Sequence, residues 1–385
     1  MAPDAVRPAA GVVDLALGGG RAIVRLVDAQ PADLKASRRQ LGPLPEATET
    51  AGAARPPDVI VRFVDRLALT GPTRRLGADA VAIGDAYVVT RGRRGADVRV
   101  HLPIERIGAA PFEITAEHGA PAIPLLLPLL AIALLARGVA PVHASAVRHD
   151  GRGLLVTGWA KGGKSETLLS FLLAGGTYVA DEWVYLDPSG PMMFGMLEPI
   201  RLWDWQLAMV PELTAGIRRS SRARLAAATT SSRALRVAAR VPALGRSAVG
   251  EAARRSAAVV DRQRSIQIPV EDLVGADRIS REAVPLDRVV LVAAADADRV
   301  RTDVSVTAAA RRIAATTTNE LLDLIAAGLA LRHAVPDLVV PLLDDVEARL
   351  AAAIETAIRG VPIVEVEHRH PADIRGLAEL VAPAL

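Results

Sequence analysis

A short apolar stretch that leads into a glycine-rich loop and then a helical segment constrains this chain most. Leu154-Leu155-Val156-Thr157 has the composition of a buried strand. The next eight residues, Gly158-Trp159-Ala160-Lys161-Gly162-Gly163-Lys164-Ser165, match the pattern G-x-x-x-x-G-K-[ST]. A helical run from Glu166 to Ala174 follows. Strand, loop and helix in this order predict an α/β fold.

The loop contains the residue types that bind a chain of phosphates. Its glycines let backbone N–H groups turn inward around phosphate oxygens, and the helix N-terminus adds positive potential. Lys164 is predicted to reach the β- and γ-phosphates, and the Ser165 hydroxyl to bind Mg²⁺. Lysine occurs in this chain only at Lys35, Lys161 and Lys164, although arginine is abundant. Lysine in the loop therefore indicates a need for a compact ammonium group.

Two acidic residues follow the next predicted strand. The helix is expected to end at Gly175-Gly176, and residues 177–180 return as a strand that leads to Asp181 and Glu182. In open α/β sheets, ligands bind at the carboxyl ends of the strands. One acid can hold Mg²⁺ while the other orients or deprotonates an attacking hydroxyl. An Asp-Glu pair can also cap a turn, but the neighbouring loop favours the chemical role.

With these residues placed, the sequence resembles the HPr kinase/phosphorylase family and its wider group of HPr-kinase-like proteins. The segment Val142-His143-Ala144-Ser145-Ala146-Val147 is similar to the family's histidine segment, and His143 lies fifteen residues before Gly158. Asp181, seventeen residues after Lys164, falls at the family's catalytic aspartate. Residues 197–203 resemble a segment of HPr-kinase-like proteins found beside peptide-modifying enzymes. The resemblance covers residues 140–205 closely and the C-terminal part loosely.

The resemblance implies an α/β, P-loop-containing core similar to that of phosphoenolpyruvate carboxykinase. It implies that residues 158–166 bind ATP and that Ser165 and Glu182 hold Mg²⁺. It also implies that Asp181 acts on an acceptor hydroxyl. His143 would lie close to the transferred phosphate, as donor or electrostatic partner. Together with Lys164, these two residues form the predicted catalytic set.

Two domains are predicted. Residues 1–115 contain short runs rich in Val and Ile, separated by Gly, Asp and Pro, and are read as a small β-rich N-terminal portion. It is unlike the N-terminal domain of true HPr kinases. Residues 116–385 are predicted to form the nucleotide-binding kinase domain, interrupted by an arginine-rich helical excursion at about 206–264.

The excursion has a strong local charge. Twelve arginines and two acidic residues lie between Ile217 and Arg264, which gives +10 in a chain of net charge +3. A nucleic-acid arm, a membrane-surface patch, a lid over a polyanionic ligand and a solvated helical surface are all compatible with this charge. No aromatic residue is interleaved and no nucleic-acid-binding motif is present, so nucleic acid is not favoured as a partner. Arg262 and Arg264 are candidates for a second cationic clamp on phosphate.

Composition excludes several other function classes. The chain has no cysteine, which excludes disulfides, thiolate metal sites and cysteine nucleophiles. Residues 119–136 carry no charge, but Pro121, Pro124 and Pro128 interrupt them, so a buried helix is expected and a membrane partner is not. The N-terminal residues lack a secretory pattern, and a cytoplasmic protein is expected.

Aromatic and histidine residues outside these motifs give weaker signals. Trp183, Trp203 and Trp205 are expected in the core, whereas Trp159 inside the loop is expected to be partly exposed. In His368-Arg369-His370, the histidines lack a carboxylate close in sequence, so surface positions are expected for both.

The sequence thus predicts a Mg²⁺/ATP-dependent kinase that transfers the γ-phosphate to a hydroxyl. The acceptor is a serine of a protein or peptide, or a small-molecule hydroxyl, and the sequence does not choose between them. The alternative is a nucleotide-gated regulatory or binding module with little turnover. A homo-oligomer is compatible with either hypothesis.

Overall fold

The computed structural model describes residues 11–46, 55–93, 96–214, 217, 219–240 and 264–384. Within these ranges the chain forms a mixed α/β fold with two large sheets and one two-stranded sheet. One hydrophobic core includes side chains from both large sheets, such as Val61 and Val156. The expectation of an α/β fold is therefore confirmed.

The first large sheet has eight strands in the order β1-β2-β3-β8-β7-β6-β5-β4. The strands are β1 (Val12–Leu17), β2 (Ala22–Val27), β3 (Val59–Val64), β4 (Thr73–Arg75), β5 (Ala80–Ile83), β6 (Ala86–Arg93), β7 (Ala96–Leu102) and β8 (Phe112–Glu117). Alternating burial along β3 follows its alternating sequence, because successive side chains in a strand point to opposite faces. Helix α1 (Pro31–Leu41) connects β2 to the segment before β3 and was not predicted from the sequence.

The second large sheet has nine strands. Eight follow the order β16-β13-β12-β9-β10-β17-β19-β18, and β11 pairs with β9 off this path. Their bounds are β9 (Ala140–His149), β10 (Arg152–Thr157), β11 (Thr177–Ala180), β12 (Trp183–Leu186), β13 (Met192–Gly195), β16 (Val284–Pro285), β17 (Arg288–Ala295), β18 (Arg299–Arg301) and β19 (Ile363–Arg369). Strands β14 (Ile200–Trp203) and β15 (Ser265–Ile268) pair with each other.

Three neighbouring strands of the second sheet, β10, β17 and β19, run parallel to one another. Strand β10 pairs in parallel with β17, and β17 pairs in parallel with β19. Their carboxyl ends therefore lie at one edge, where ligands bind in sheets of this kind. The apolar runs in these strands are buried, as expected for strands covered on both faces.

The remaining α-helices follow along the chain. They are α2 (Leu126–Ala136), α3 (Lys164–Leu173), α4 (Asp204–Met209), α5 (Arg219–Arg240), α6 (Val270–Val274), α7 (Val306–Glu320), α8 (Leu322–Ala334), α9 (Pro341–Asp344), α10 (Val346–Ala357) and α11 (Leu377–Val381). The apolar helix α2 is mostly buried, and no helix in the described ranges is long and apolar enough to cross a bilayer. Helix α7 packs against α10 and β9.

The arginine-rich segment is described only in part. Helix α5 covers residues 219–240, and residues 241–263 lie outside the described residues. In α5, Leu225, Ala228 and Ser232 are buried, whereas Arg222 and Arg224 are exposed. The spacing of the buried residues places them on one face of the helix. The described part of the segment is therefore an amphipathic helix.

Candidate functional site

The glycine loop connects β10 to α3 at the edge where β17 and β19 also end. A Cβ atom at Gly158 would lie 2.1 Å from the carbonyl oxygen of Val292 in β17, so the close approach of the two backbones requires glycine. Gly163 is the N-cap of α3 and has φ +105°. The Gly162 N–H donates to the Trp159 carbonyl at 2.9 Å, which closes a turn inside the loop.

Lys164 lies at the start of α3 and folds back onto the loop. Its ammonium donates to the carbonyl oxygens of Gly158 at 2.9 Å and Trp159 at 3.4 Å. The pKa of Lys164 is lowered, because the effect of burial exceeds the opposite effect of the negative charges of Glu182 and Asp181. The ammonium is thus close to two carboxylates and bonded to neutral backbone carbonyls, which an anionic partner can replace.

The side chains of Ser165 and Asp181 are in contact. The Ser165 hydroxyl lies 3.2 Å from Oδ2 and 3.4 Å from Oδ1 of Asp181. The hydroxyl of Ser145, from β9, donates to Oδ1 at 2.5 Å. Asp181 is 4% exposed, and burial together with the charge of Glu182 raises its pKa to about 6, against the two hydroxyl hydrogen bonds that lower it. The carboxylate therefore has hydroxyl partners and an adjacent ammonium group.

His143 lies between two glutamates. Its Nε2 is 3.4 Å from Oε2 of Glu182, and its Nδ1 is 2.9 Å from Oε1 of Glu320 without the alignment of a hydrogen bond. The backbone N–H of His143 donates a hydrogen bond to the Thr317 hydroxyl at 3.0 Å, which fixes this part of β9 against α7. Glu182 has φ +76°, an uncommon conformation for a non-glycine residue. Such local strain is often found at functional sites.

The same three side chains have the donors of a cation site. One ligand atom each from His143, Glu182 and Glu320 lies within 4.8 Å of the others. Imidazole nitrogens and carboxylate oxygens are common ligands of divalent cations. Sequence reasoning found His143 and Glu182 but missed Glu320. Glu320 is the last residue of α7, and no spacing signal connects it to the loop, because only the packing of α7 on β9 brings it close.

Glu198 is a second acidic residue that sequence reasoning did not assign to the site. It follows β13, and within the described chain its Oε1 is buried without a hydrogen-bond partner. Burial and the charges of Glu182 and Asp181 raise its pKa to about 8. Burial, together with two neighbouring negative charges, therefore disfavours ionisation of this carboxyl group. Glu198 lies within residues 197–203, which carry part of the family resemblance, and an acidic residue in that segment was the signal available in the sequence.

The remaining predicted site residues lie around the loop. Lys161 is exposed and has φ +63°. Trp159 is 59% exposed, as predicted, and Trp183 is 6% exposed, also as predicted. Ala160 is exposed in the same loop. The Glu166 carboxylate accepts a hydrogen bond from Gln206 Nε2 at 2.9 Å, so it connects α3 to α4.

The remaining predictions concern the arginine clamp on phosphate and the surface positions of two histidines. Arg264, a candidate for a second phosphate clamp, pairs with Asp204 at 2.7 Å, and Asp204 also accepts a hydrogen bond from Thr229 of α5. Arg262 lies outside the described residues. The surface position expected for His368 is wrong, because His368 is 3% exposed, whereas His370 is exposed as predicted.

No protein-family model matches the chain, and no curated protein matches its sequence. Among solved structures, the chain is similar to the Hpr(Ser) kinase/phosphatase from Coxiella burnetii, with 14% sequence identity and a TM-score of 0.18. The match covers 42% of this chain and 71% of that chain. A TM-score this low carries no conclusion on fold or activity.

Proposed function

We propose that this protein is a Mg²⁺/ATP-dependent phosphotransferase that moves the γ-phosphate of ATP to a hydroxyl acceptor. The observation that carries the proposal is the meeting of Lys164, Ser165 and Asp181 at the end of parallel strands. Phosphoryl transfer needs a phosphate cradle, a hydroxyl or carboxylate for the metal, and a group that orients the nucleophile. These three residues supply groups of each kind within one site.

The reaction has a simple balance of bonds. The acceptor oxygen forms a new bond to the γ-phosphorus, and the bond from that phosphorus to the bridging oxygen of ADP breaks. Asp181 accepts the proton of the acceptor hydroxyl, and ADP leaves. Lys164 exchanges its loop carbonyls for phosphate oxygens and stabilises the charge on the transferred group. The His143 imidazole, which lies 3.4 Å from the Glu182 carboxylate, contributes a further polar group to the site.

The residues at the site fit a magnesium ion chemically. Mg²⁺ prefers hard oxygen ligands, and the Ser165 hydroxyl and the half-exposed carboxylate of Glu182 provide them. When bound, the ion would neutralise charge on the phosphates and hold them in position. Glu320 and His143 each have a ligand atom within 4.8 Å of a Glu182 oxygen, so they are additional groups that can hold a cation.

A binding experiment tests the role of the loop hydroxyl. ATP affinity is measured by titration calorimetry with and without Mg²⁺, for wild type and for Ser165→Ala. Ser189→Ala serves as control, because its hydroxyl bonds Asp187 in an exposed turn between β12 and β13. We expect Mg²⁺ to strengthen ATP binding in wild type and in the control, and to have at most a small effect in Ser165→Ala. Equal magnesium dependence in all three proteins would contradict the proposal.

Two classes of acceptor hydroxyl are part of the proposal. HPr-kinase-like proteins found beside peptide-modifying enzymes suggest a serine hydroxyl of a peptide or protein, and a small-molecule hydroxyl is the other class to test. ATP binding without transfer to either class would instead favour a nucleotide-gated regulatory module.

A further inference from the structure

A buried histidine at the end of β19 contacts the glycine loop. His368 is 3% exposed, and its Nε2 lies 2.9 Å from the carbonyl oxygen of Gly162. Its Nδ1 lies 2.9 Å from the carbonyl oxygen of Arg369. A neutral imidazole has a single N–H and can donate to only one of these two carbonyls. A hydrogen bond to the loop therefore requires a proton on Nε2.

The strand order brings this histidine to the loop. His368 is 206 residues from Gly162 in sequence. It is paired in register with Ala294 of β17, and β17 is the parallel neighbour of β10, which leads into the loop. The imidazole ring also fits closely against the turn into α3, since a Cβ at Gly163 would lie 2.1 Å from Nε2 of His368. The contact is thus a built part of the site.

The peptide bond between Gly162 and Gly163 gives this contact a consequence for binding. In a trans peptide, the carbonyl and the following N–H point in opposite directions. A Gly162 carbonyl held toward His368 therefore aims the Gly163 N–H away from the histidine. A carbonyl oxygen facing a phosphate would repel it, whereas an N–H attracts it.

We propose that His368 is a positioning residue for the phosphate-binding loop. Its Nε2–H holds the Gly162 carbonyl and so keeps the next peptide N–H available to the phosphates of the nucleotide. This inference rests on the proposed function, because the orientation matters for binding only if the loop receives an anion. It adds a residue from β19, the last strand in the sequence, to a site otherwise formed by residues 143–320.

Three substitutions separate the hydrogen bond from packing. His368→Gln retains an N–H donor with the reach of Nε2, His368→Asn has the same amide on a shorter side chain, and His368→Leu removes the donor. His333→Leu, at an exposed position in α8, is the control. We expect Mg·ATP affinity to fall roughly tenfold in the Leu and Asn variants and to stay within about threefold of wild type in the Gln variant.

A second readout follows the loop without nucleotide. Trp159 lies in the same loop and is 59% exposed, so its quenching by acrylamide reports the loop conformation. Each variant is also made with Trp159→Phe, and the difference gives the signal of this residue. We expect quenching of Trp159 to change in the Leu and Asn variants and to remain as in wild type in the Gln variant.

The outcomes distinguish the two proposals. Failure of wild type to bind Mg·ATP would remove the proposed function, while the quenching measurement would still test the contact. Wild-type binding with equal affinity in the Gln, Asn and Leu variants would overturn the role of His368 and leave the proposed function intact. If the Leu variant does not fold, as judged by circular dichroism, the comparison of Gln with Asn decides.

Discussion

The hydroxyl of Ser165 lies 3.2 Å from Oδ2 of Asp181, although the two residues belong to different elements. Ser165 is in the first turn of α3, and Asp181 follows β11, which pairs with β9. A loop hydroxyl and a buried carboxylate at this distance can act on one bound group. This contact is the geometric basis of the proposed phosphotransferase activity.

Removal of the loop ammonium should weaken nucleotide binding or transfer by orders of magnitude. Lys164→Ala eliminates the only buried lysine in the described chain, the one that bonds the loop carbonyls. We expect the Mg·ATP affinity or the transfer rate to fall about 100-fold or more, because the phosphates lose a cationic partner that stabilises their charge. Lys35→Ala, exposed on α1, should behave as wild type. Calorimetry and a transfer assay measure both, and equal behaviour of the two variants would exclude the loop as a phosphate site.

The first glycine of the loop should be required for stability. A Cβ at Gly158 would meet the Val292 carbonyl at 2.1 Å, and a backbone oxygen cannot move away cheaply. We expect Gly158→Ala to lower the free energy of unfolding by about 1–3 kcal/mol, the usual cost of overpacking. At Gly190 the same atom would meet nothing within 4 Å, so Gly190→Ala should have little effect. Urea unfolding tests this difference, and similar midpoints for both variants would show that the backbones are less closely packed.

Glu198 should make stability depend on pH. Burial raises the pKa of this carboxyl group from 4.5 to about 8 in the folded protein. The folded state therefore binds the proton more tightly than the unfolded state, and this group's unfavourable contribution grows as pH rises from about 4.5 to about 8. Glu198→Gln removes the charge, so we expect a gain on the order of 2 kcal/mol at pH 7 and little gain at pH 4.5.

The control for this prediction is Glu347→Gln, an exposed glutamate in α10. Urea unfolding of both variants and wild type is measured at several values between pH 4.5 and pH 8. A gain for Glu198→Gln that does not increase with pH would indicate that its carboxyl group ionises normally in the folded protein.

The elements that carry Lys164, Ser165 and Asp181 could be predicted from local sequence. The predicted strand at residues 154–157 lies within β10, the predicted helix at 166–174 corresponds to α3, and the strand at 177–180 is β11. Each carries a strong local signal: an apolar run, a glycine loop, or a glycine pair that ends a helix. Local signals of this kind place Lys164, Ser165 and Asp181 close to one another.

Contacts between distant elements could not be predicted in this way. Glu320 reaches His143 because α7 packs on β9, and His368 reaches the loop through two parallel strand pairs. Neither residue has a sequence pattern that specifies its partner. Residues 306–334 form two helices, α7 and α8, that are divided at Leu321, and this division places Glu320 at a helix end. Tertiary packing, rather than propensity, decides such positions.

The arginine-rich segment illustrates the same limit. Its composition allowed several functions, and in the described part Asp204 accepts hydrogen bonds from Thr229 of α5 and from Arg264. Asp204 lies at the start of α4, whose Gln206 bonds Glu166 in α3. The segment is therefore connected to the helix that follows the glycine loop. Its charge alone gave no indication of this connection.

The measurement that tests the central claim most directly is transfer of labelled γ-phosphate from Mg·ATP into an extract of the source cells. Protein, peptide and small-molecule fractions are separated, and Asp181→Asn is compared with wild type. We predict label in one fraction with wild type and at least a hundredfold less with Asp181→Asn, which should still bind Mg·ATP because its fold and loop remain. Equal labelling by both proteins, or no labelling by a wild type that binds Mg·ATP, would contradict a phosphotransferase that uses Asp181.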